Sequence, residues 1–182
     1  MTSISDALRF QPTSSRSATE TLLAADAQLM RVAVRPPRIM LRGSGSYLWD
    51  DQGTRYLDFV QGWAVNALGH APPEISAALA AQAQTLITAS PAFHNAPQLQ
   101  FALELSRAAG LAQVHFTNSG AEANEAALKL TRKWGRLQRG GAHQIISTLG
   151  SFHGRTLALM AASGKPGWDA LFPPVMPGFV KV

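Results

Sequence analysis

The 182-residue sequence contains no cysteine, which excludes disulfide frameworks, thiol catalysis and Cys-ligated metal or iron–sulfur sites. Charge is also scarce, at 15% of residues against about 25% in an average domain, while 46% are hydrophobic. So little charge predicts surface that is covered by a partner subunit or by chain outside these residues. Long apolar runs are missing too. Leu157 to Ala162 is among the longest, far short of the roughly 20 residues a membrane helix needs. The N-terminus lacks the apolar core of a signal peptide, and Asp6, Glu20 and Asp26 oppose a transit peptide. A loose tail to about Thr19, in a cytoplasmic protein with no membrane partner, is the expectation. No G-x-G-x-x-G, P-loop or G-x-S-x-G pattern occurs, which argues against dinucleotide dehydrogenases, P-loop NTPases and α/β-hydrolases. The histidines (His70, His94, His115, His143 and His153) form no paired ligand spacing, so no metal is expected.

The net charge is +5 and the isoelectric point about 10.2, values that raise nucleic acid as a partner. The excess lies largely in Lys129, Lys133, Arg132, Arg136 and Arg139. These fall along the C-terminal half of a predicted helix, where cations favour the dipole. No aromatic-interleaved basic strand accompanies them, so a solvated helix face is expected, and no nucleic-acid partner.

Three segments are expected: 1–35 as tail and helix, 36–72 as a short-strand segment, and 73–182 as part of a larger domain. Glu20–Arg31 has helical composition and stops at Pro36-Pro37. Ile39–Arg42, Tyr47–Trp49 and Tyr56–Phe59 read as strands, the last two joined by a hairpin at Asp50–Gly53. From Glu74 the period becomes helical through Ile75, Leu79, Ala83 and Leu86. A second helix starts near Pro97 and closes at Gly110; it is apolar nearly all round, which predicts burial on several sides. Strands at Val114–Thr117, His143–Thr148 and Phe179–Val182 then alternate with helices at Gly120–Leu137 and Arg155–Ser163. That alternation is the pattern of an α/β, doubly wound parallel sheet. Three strands are fewer than usual, and the last runs into the C-terminus without a turn, so the sheet is expected to be incomplete.

Two strand-to-helix turns carry the candidate chemistry. In Thr117–Ala127, Ser119 and Glu122 fit a capping box, so a well-capped helix is one reading. The other is a phosphate site, because Gly120 and Ala121 leave backbone N–H groups unobstructed at a positive helix end after a strand. In Ser151–Thr156, Phe152 can stack on a planar ring and Arg155 can fork onto a carboxylate. A Gly-bearing turn with a core Phe is the structural alternative. A cation at a helix N-terminus has the wrong sign for the dipole, which points to another task for Arg155.

Read together, NSGAEANEAALKL and SFHGRTLALMAASGKPGW resemble the class III pyridoxal-phosphate aminotransferases, in the acetylornithine and succinylornithine branch. The stretches GSGSYLWDDQGTRYLDFVQGWAVNALGHAPPEI and FHNAPQLQFALEL resemble the same family's N-terminal region. The likeness therefore spans about Pro36 to Val182. It departs at Trp63, where a smaller aliphatic residue is usual, and at Pro72, where a His is common. The resemblance implies an incomplete pyridoxal-phosphate transferase fold of type I. It also implies that Gly120 and Ala121 hold the cofactor phosphate, Phe152 stacks on the pyridine ring and Arg155 takes the substrate carboxylate. The implied reaction moves an amino group from N-acetylornithine, or a close relative, to 2-oxoglutarate in arginine biosynthesis, by a homodimer when full length.

The resemblance further implies a Schiff-base lysine and a ring-pairing aspartate in chain beyond this sequence. Lys129, Lys133, Lys165 and Lys181 are the lysines present, and Asp169 the one aspartate after Asp58; none matches the family's context. No catalytic residue is therefore assigned within these residues. Two hypotheses follow: the N-terminal portion of an aminotransferase, or a truncated and catalytically silent remnant. A stand-alone phosphate-binding module is a third.

Overall fold

The computed structural model describes residues 16–182, so the expected tail lies largely outside the described residues. Helix α1 spans Arg16–Ala24 and tightens into a 3-10 turn at Ala25–Gln28. The helix thus starts earlier than Glu20 and stops before Arg31. The chain divides into two compact units, one to Ala92 and one from Phe93.

The first unit is built on an antiparallel sheet of β1 (Met40–Ser44), β2 (Tyr47–Asp50) and β3 (Arg55–Leu57), in that order. Leu48 pairs with Gly43 on one side and Tyr56 on the other. Gly45, at φ +52°, makes the tight β1–β2 turn. Asp50 is buried at the second turn because it organises it. Its carboxylate accepts the N–H groups of Gln52 and Thr54, at 3.0 and 2.8 Å, and the Tyr56 hydroxyl at 2.7 Å. The phenol, above all, holds the Asp50 carboxyl below the usual carboxylate range. Arginines stack outside the sheet, Arg42 at 3.6 Å over Trp49 and Arg55 at 4.7 Å over Tyr47.

After β3 the backbone enters a left-handed turn, with positive φ at Gln61, Gly62, Trp63 and Ala64. Only glycine takes this conformation without strain. Asp58 supports it, accepting the N–H groups of Val60 and Gln61 through Oδ1, both at 2.9 Å, while Oδ2 meets His70 Nε2 at 2.7 Å. Trp63, one of the two departures from the family pattern, stands outward, 88% exposed. Pro72, the other, is the N-cap of helix α2 (Pro73–Thr85). There its missing N–H costs nothing and its carbonyl takes the Ser76 N–H.

The second unit opens with α3 (Ala96–Ala109), capped by Asn95 and closed by Gly110 in the left-handed conformation. Leu99, Phe101 and Leu103 of α3 are about half exposed, so the burial expected for this helix does not occur within the chain. Phe101 does stack on Phe116, at 5.6 Å between rings. The segment Val114–Thr117 takes no regular secondary structure and pairs with no described strand, so the predicted strand is not realised. A strand needs a neighbour's N–H and C=O groups, and none is supplied here. Helix α4 (Gly120–Gln138), β4 (Ile145–Ser147), α5 (Leu157–Ala162) and β5 (Phe179–Lys181) follow.

β4 and β5 pair in parallel, Ile145 opposite Phe179 and Ser147 opposite Lys181. The described sheet thus has two parallel strands rather than three. The core sits on α5, where Ala158, Leu159, Ala161, Ala162 and Ser163 are buried. α4 closes over Ala142 at Gly135, where a Cβ would lie 2.0 Å from the Ala142 carbonyl oxygen. Of the basic run, Arg132 donates to the Pro177 carbonyl at 2.9 Å and Arg139 lies 4.9 Å from the Trp134 ring. No helix of the described residues is long and apolar enough to cross a membrane.

Candidate cofactor site

The site is built where α4 begins. Ser119 is its N-cap: Ser119 Oγ accepts the Glu122 N–H at 3.2 Å, and the Ser119 carbonyl accepts the Ala123 N–H. Glu122 folds back, accepting from Ser119 Oγ at 3.2 Å and from Asn118 Nδ2 at 3.5 Å. The Asn118 amide, then the Ser119 hydroxyl, hold the Glu122 carboxyl below its ordinary value. A helix leaves four N–H groups without intrahelical partners. The cap satisfies those of Glu122 and Ala123. Those of Gly120 and Ala121 are left without an acceptor among the described residues.

Space in front of that end is open, since a Cβ built on Gly120 meets nothing within 4 Å. Two unpaired N–H groups, an open approach and the positive end of a 19-residue helix are the donor set a phosphate needs.

The second turn lies against the first. Gly154 is buried at φ +144°, and a Cβ there would lie 3.2 Å from Ala121 Cβ. Gly154 carries Phe152 and Arg155 on either side of it. Phe152 is 56% exposed, its ring braced edge-on by Trp168 at 5.9 Å. Arg155 is exposed and makes no salt bridge among the described residues. It precedes Thr156, the N-cap of α5, so that helix starts later than Arg155. Gly120, Ala121, Phe152 and Arg155 are thus drawn into one neighbourhood of the second unit.

Three of the four lysines are held or placed elsewhere. Lys181 is ion-paired with both Asp169 oxygens, at 2.8 and 2.9 Å. Lys129 and Lys133 lie along α4, roughly 14 and 20 Å from Gly120 at about 1.5 Å per residue. Lys165 is exposed, next to Gly164, whose N–H donates to Ser151 Oγ at 3.3 Å, and it makes no ion pair among the described residues. No cluster of metal-ligating side chains occurs among the described residues.

Sequence reading did not find the residues that hold the second turn. Asn124, Glu125, Thr156 and Ser163 all hydrogen-bond across it. Asn124 left a trace, a poor helix former inside an Ala-rich run, but its partner is 29 residues away.

An α/β unit that offers open helix N–H groups beside an exposed ring and a free guanidinium has the build of a pyridoxal-phosphate transferase of fold type I. The family model for class-III aminotransferases matches residues 29–182, and the chain belongs to that family. It is 57% identical over 153 residues to acetylornithine aminotransferase 2 of Bordetella bronchiseptica, covering 84% of this chain and 39% of that protein. Among solved structures it matches the ornithine aminotransferase of Toxoplasma gondii, with partial occupancy of pyridoxal phosphate, at a TM-score of 0.85 and 28% identity. That match covers all of this chain and 43% of the other. The taurine:2-oxoglutarate aminotransferase of Bifidobacterium kashiwanohense, in complex with pyridoxal phosphate and glutamate, matches at 0.81 and 30%, covering 90% and 37%. The family's cofactor is pyridoxal phosphate, and the donor set at Gly120 and Ala121 fits its phosphate.

Proposed function

We propose that the protein transfers the amino group of N-acetylornithine, or a close relative, to 2-oxoglutarate, as a cytoplasmic homodimer serving arginine biosynthesis. The observation that carries this reading is the pair of unsatisfied N–H groups of Gly120 and Ala121 beside Phe152 and Arg155. The name of the relative at 57% identity supports the choice of amino donor. In this reading Gly120 and Ala121 donate to phosphate oxygens, with the helix dipole behind them. Phe152 lies against the pyridine ring and excludes water from one face. Arg155 offers a planar, two-point donor to the substrate carboxylate. Bound pyridoxal phosphate supplies the electron sink for the amino-acid carbon.

The chain spans about two-fifths of the curated relatives it matches, and the activity is proposed for the whole protein. Residues 1–182 alone are proposed to be inactive, because none of Lys129, Lys133, Lys165 and Lys181 has the context of the family's Schiff-base lysine. Borohydride reduction with pyridoxal phosphate, followed by peptide mapping, is expected to show no stoichiometric lysine adduct. For the whole protein, kcat/KM is to be compared for acetylornithine, succinylornithine, ornithine and 4-aminobutyrate. Acetylornithine or succinylornithine is expected to be best. A clear preference for 4-aminobutyrate would overturn the branch assignment.

A further inference from the structure

The peptide of His153 is gripped at both ends. Its N–H donates to Ser163 Oγ at 3.0 Å, and its carbonyl accepts from Asn124 Nδ2 at 2.7 Å. Ser163 is fully buried and donates its own proton to the Leu159 carbonyl at 2.7 Å, which fixes the hydroxyl. Asn124 stands on the second turn of α4, the helix that ends in the free N–H groups. The next residue of that helix, Glu125, accepts a hydrogen bond from the Thr156 hydroxyl. Thr156 in turn caps α5 through the Leu159 N–H. Four residues, His153 to Thr156, are therefore tied to α4 at both ends, by Asn124 and by Glu125. Gly154 between them rests on Ala121. Phe152 and Arg155, the side chains that face outward, have no side-chain hydrogen bond of their own among the described residues. Apart from the Trp168 edge against Phe152, their placement depends on the backbone that carries them.

We infer that Asn124 and Glu125 are positioning residues that set the reach between the phosphate turn at Gly120–Ala121 and the Phe152–Arg155 pair. The inference rests on the roles proposed above for those four residues. Phosphate, ring and substrate carboxylate would then all be placed from one rigid helix. A misplacement of about 1 Å in such an arrangement can cost on the order of a hundredfold in rate. Asn at this position is a poorer helix former than Ala, so local propensity does not account for it. The tertiary contact does.

The test uses the whole protein and the variants Asn124→Ala, Glu125→Gln, Thr156→Val and Thr156→Ser. For Asn124→Ala, the Kd for pyridoxal phosphate is expected to change less than about threefold, since the phosphate donors stay in place. The visible circular dichroism of the bound cofactor is expected to lose half its amplitude or more. KM for the amino donor should rise about tenfold, with a smaller change in kcat. In the cofactor-free protein, amide exchange over residues 151–156 should quicken by about tenfold. Thr156→Val should follow Asn124→Ala, while Thr156→Ser and Glu125→Gln, which keep a donor and an acceptor, should stay near the parent. Unchanged dichroism and KM in Asn124→Ala would overturn the inference. So would a Kd that weakens in proportion to KM, because Asn124 would then support the helix as a whole. If Asn124→Ala does not fold, the threonine pair decides, and a Thr156→Val that matches Thr156→Ser overturns it. If the parent protein binds no pyridoxal phosphate, the proposed function fails by itself, and the exchange measurement still decides whether the clamp exists.

Discussion

Gly154 leaves no room for a side chain against Ala121: a Cβ added to Gly154 would lie 3.2 Å from Ala121 Cβ, and 2.5 Å from Leu159 Cδ1. Through this close approach the turn bearing Phe152 and Arg155 lies against the turn with the free N–H groups. Gly154 also has φ +144°, a region that side chains rarely enter.

Gly154→Ala therefore meets backbone strain and overpacking together, each about 1–3 kcal/mol. A loss of roughly 2–4 kcal/mol of stability is expected, with weaker cofactor retention. Denaturant midpoints and gel filtration of the loaded whole protein would read both. A midpoint equal to the parent's would show that the turn can move away from Ala121.

Arg155→Lys keeps the charge and loses the planar fork. The loss is expected to be about 1.5 kcal/mol, or roughly tenfold, in binding of the amino donor and of 2-oxoglutarate. The Kd of pyridoxal phosphate should stay within about twofold. Equal losses for cofactor and substrate would mark Arg155 as structural.

Asp58 governs a pH response in the first unit. Its carboxyl is held below the ordinary 3.8, by the Gln61 N–H first and His70 second. A carboxylate depressed in the folded state stabilises above its unfolded value, and that contribution is lost as pH falls through the folded one. Between pH 6 and 3, the difference in denaturation midpoint between the parent and Asp58→Asn is expected to be present at pH 6. It should shrink below about pH 4, read by tryptophan fluorescence. A difference that persists unchanged to pH 3 would remove Asp58 from the account.

Local rules determined the elements whose signals are short in range. Ser119 with Glu122, Pro97 in a first turn, and Gly110 are helix boundaries legible in the sequence, because capping joins residues within four positions. The open N–H groups of Gly120 and Ala121 follow from the same cap, so the unpaired end of α4 was legible too. Val114–Thr117 shows the limit of this reading: its composition suits a strand, but a ladder requires a partner that composition does not supply. The same holds for α3, whose apolar surface specifies that it can be covered and not what covers it. What the tertiary structure alone decided is the approach of the second turn to the first. Asn124 reaches His153 across 29 residues, Glu125 reaches Thr156 across 31, and Ser163 bonds His153 from the far end of α5. No periodicity or cap encodes such pairings, because they exist only once α4 and α5 are packed and leave no room at Gly154 for a side chain.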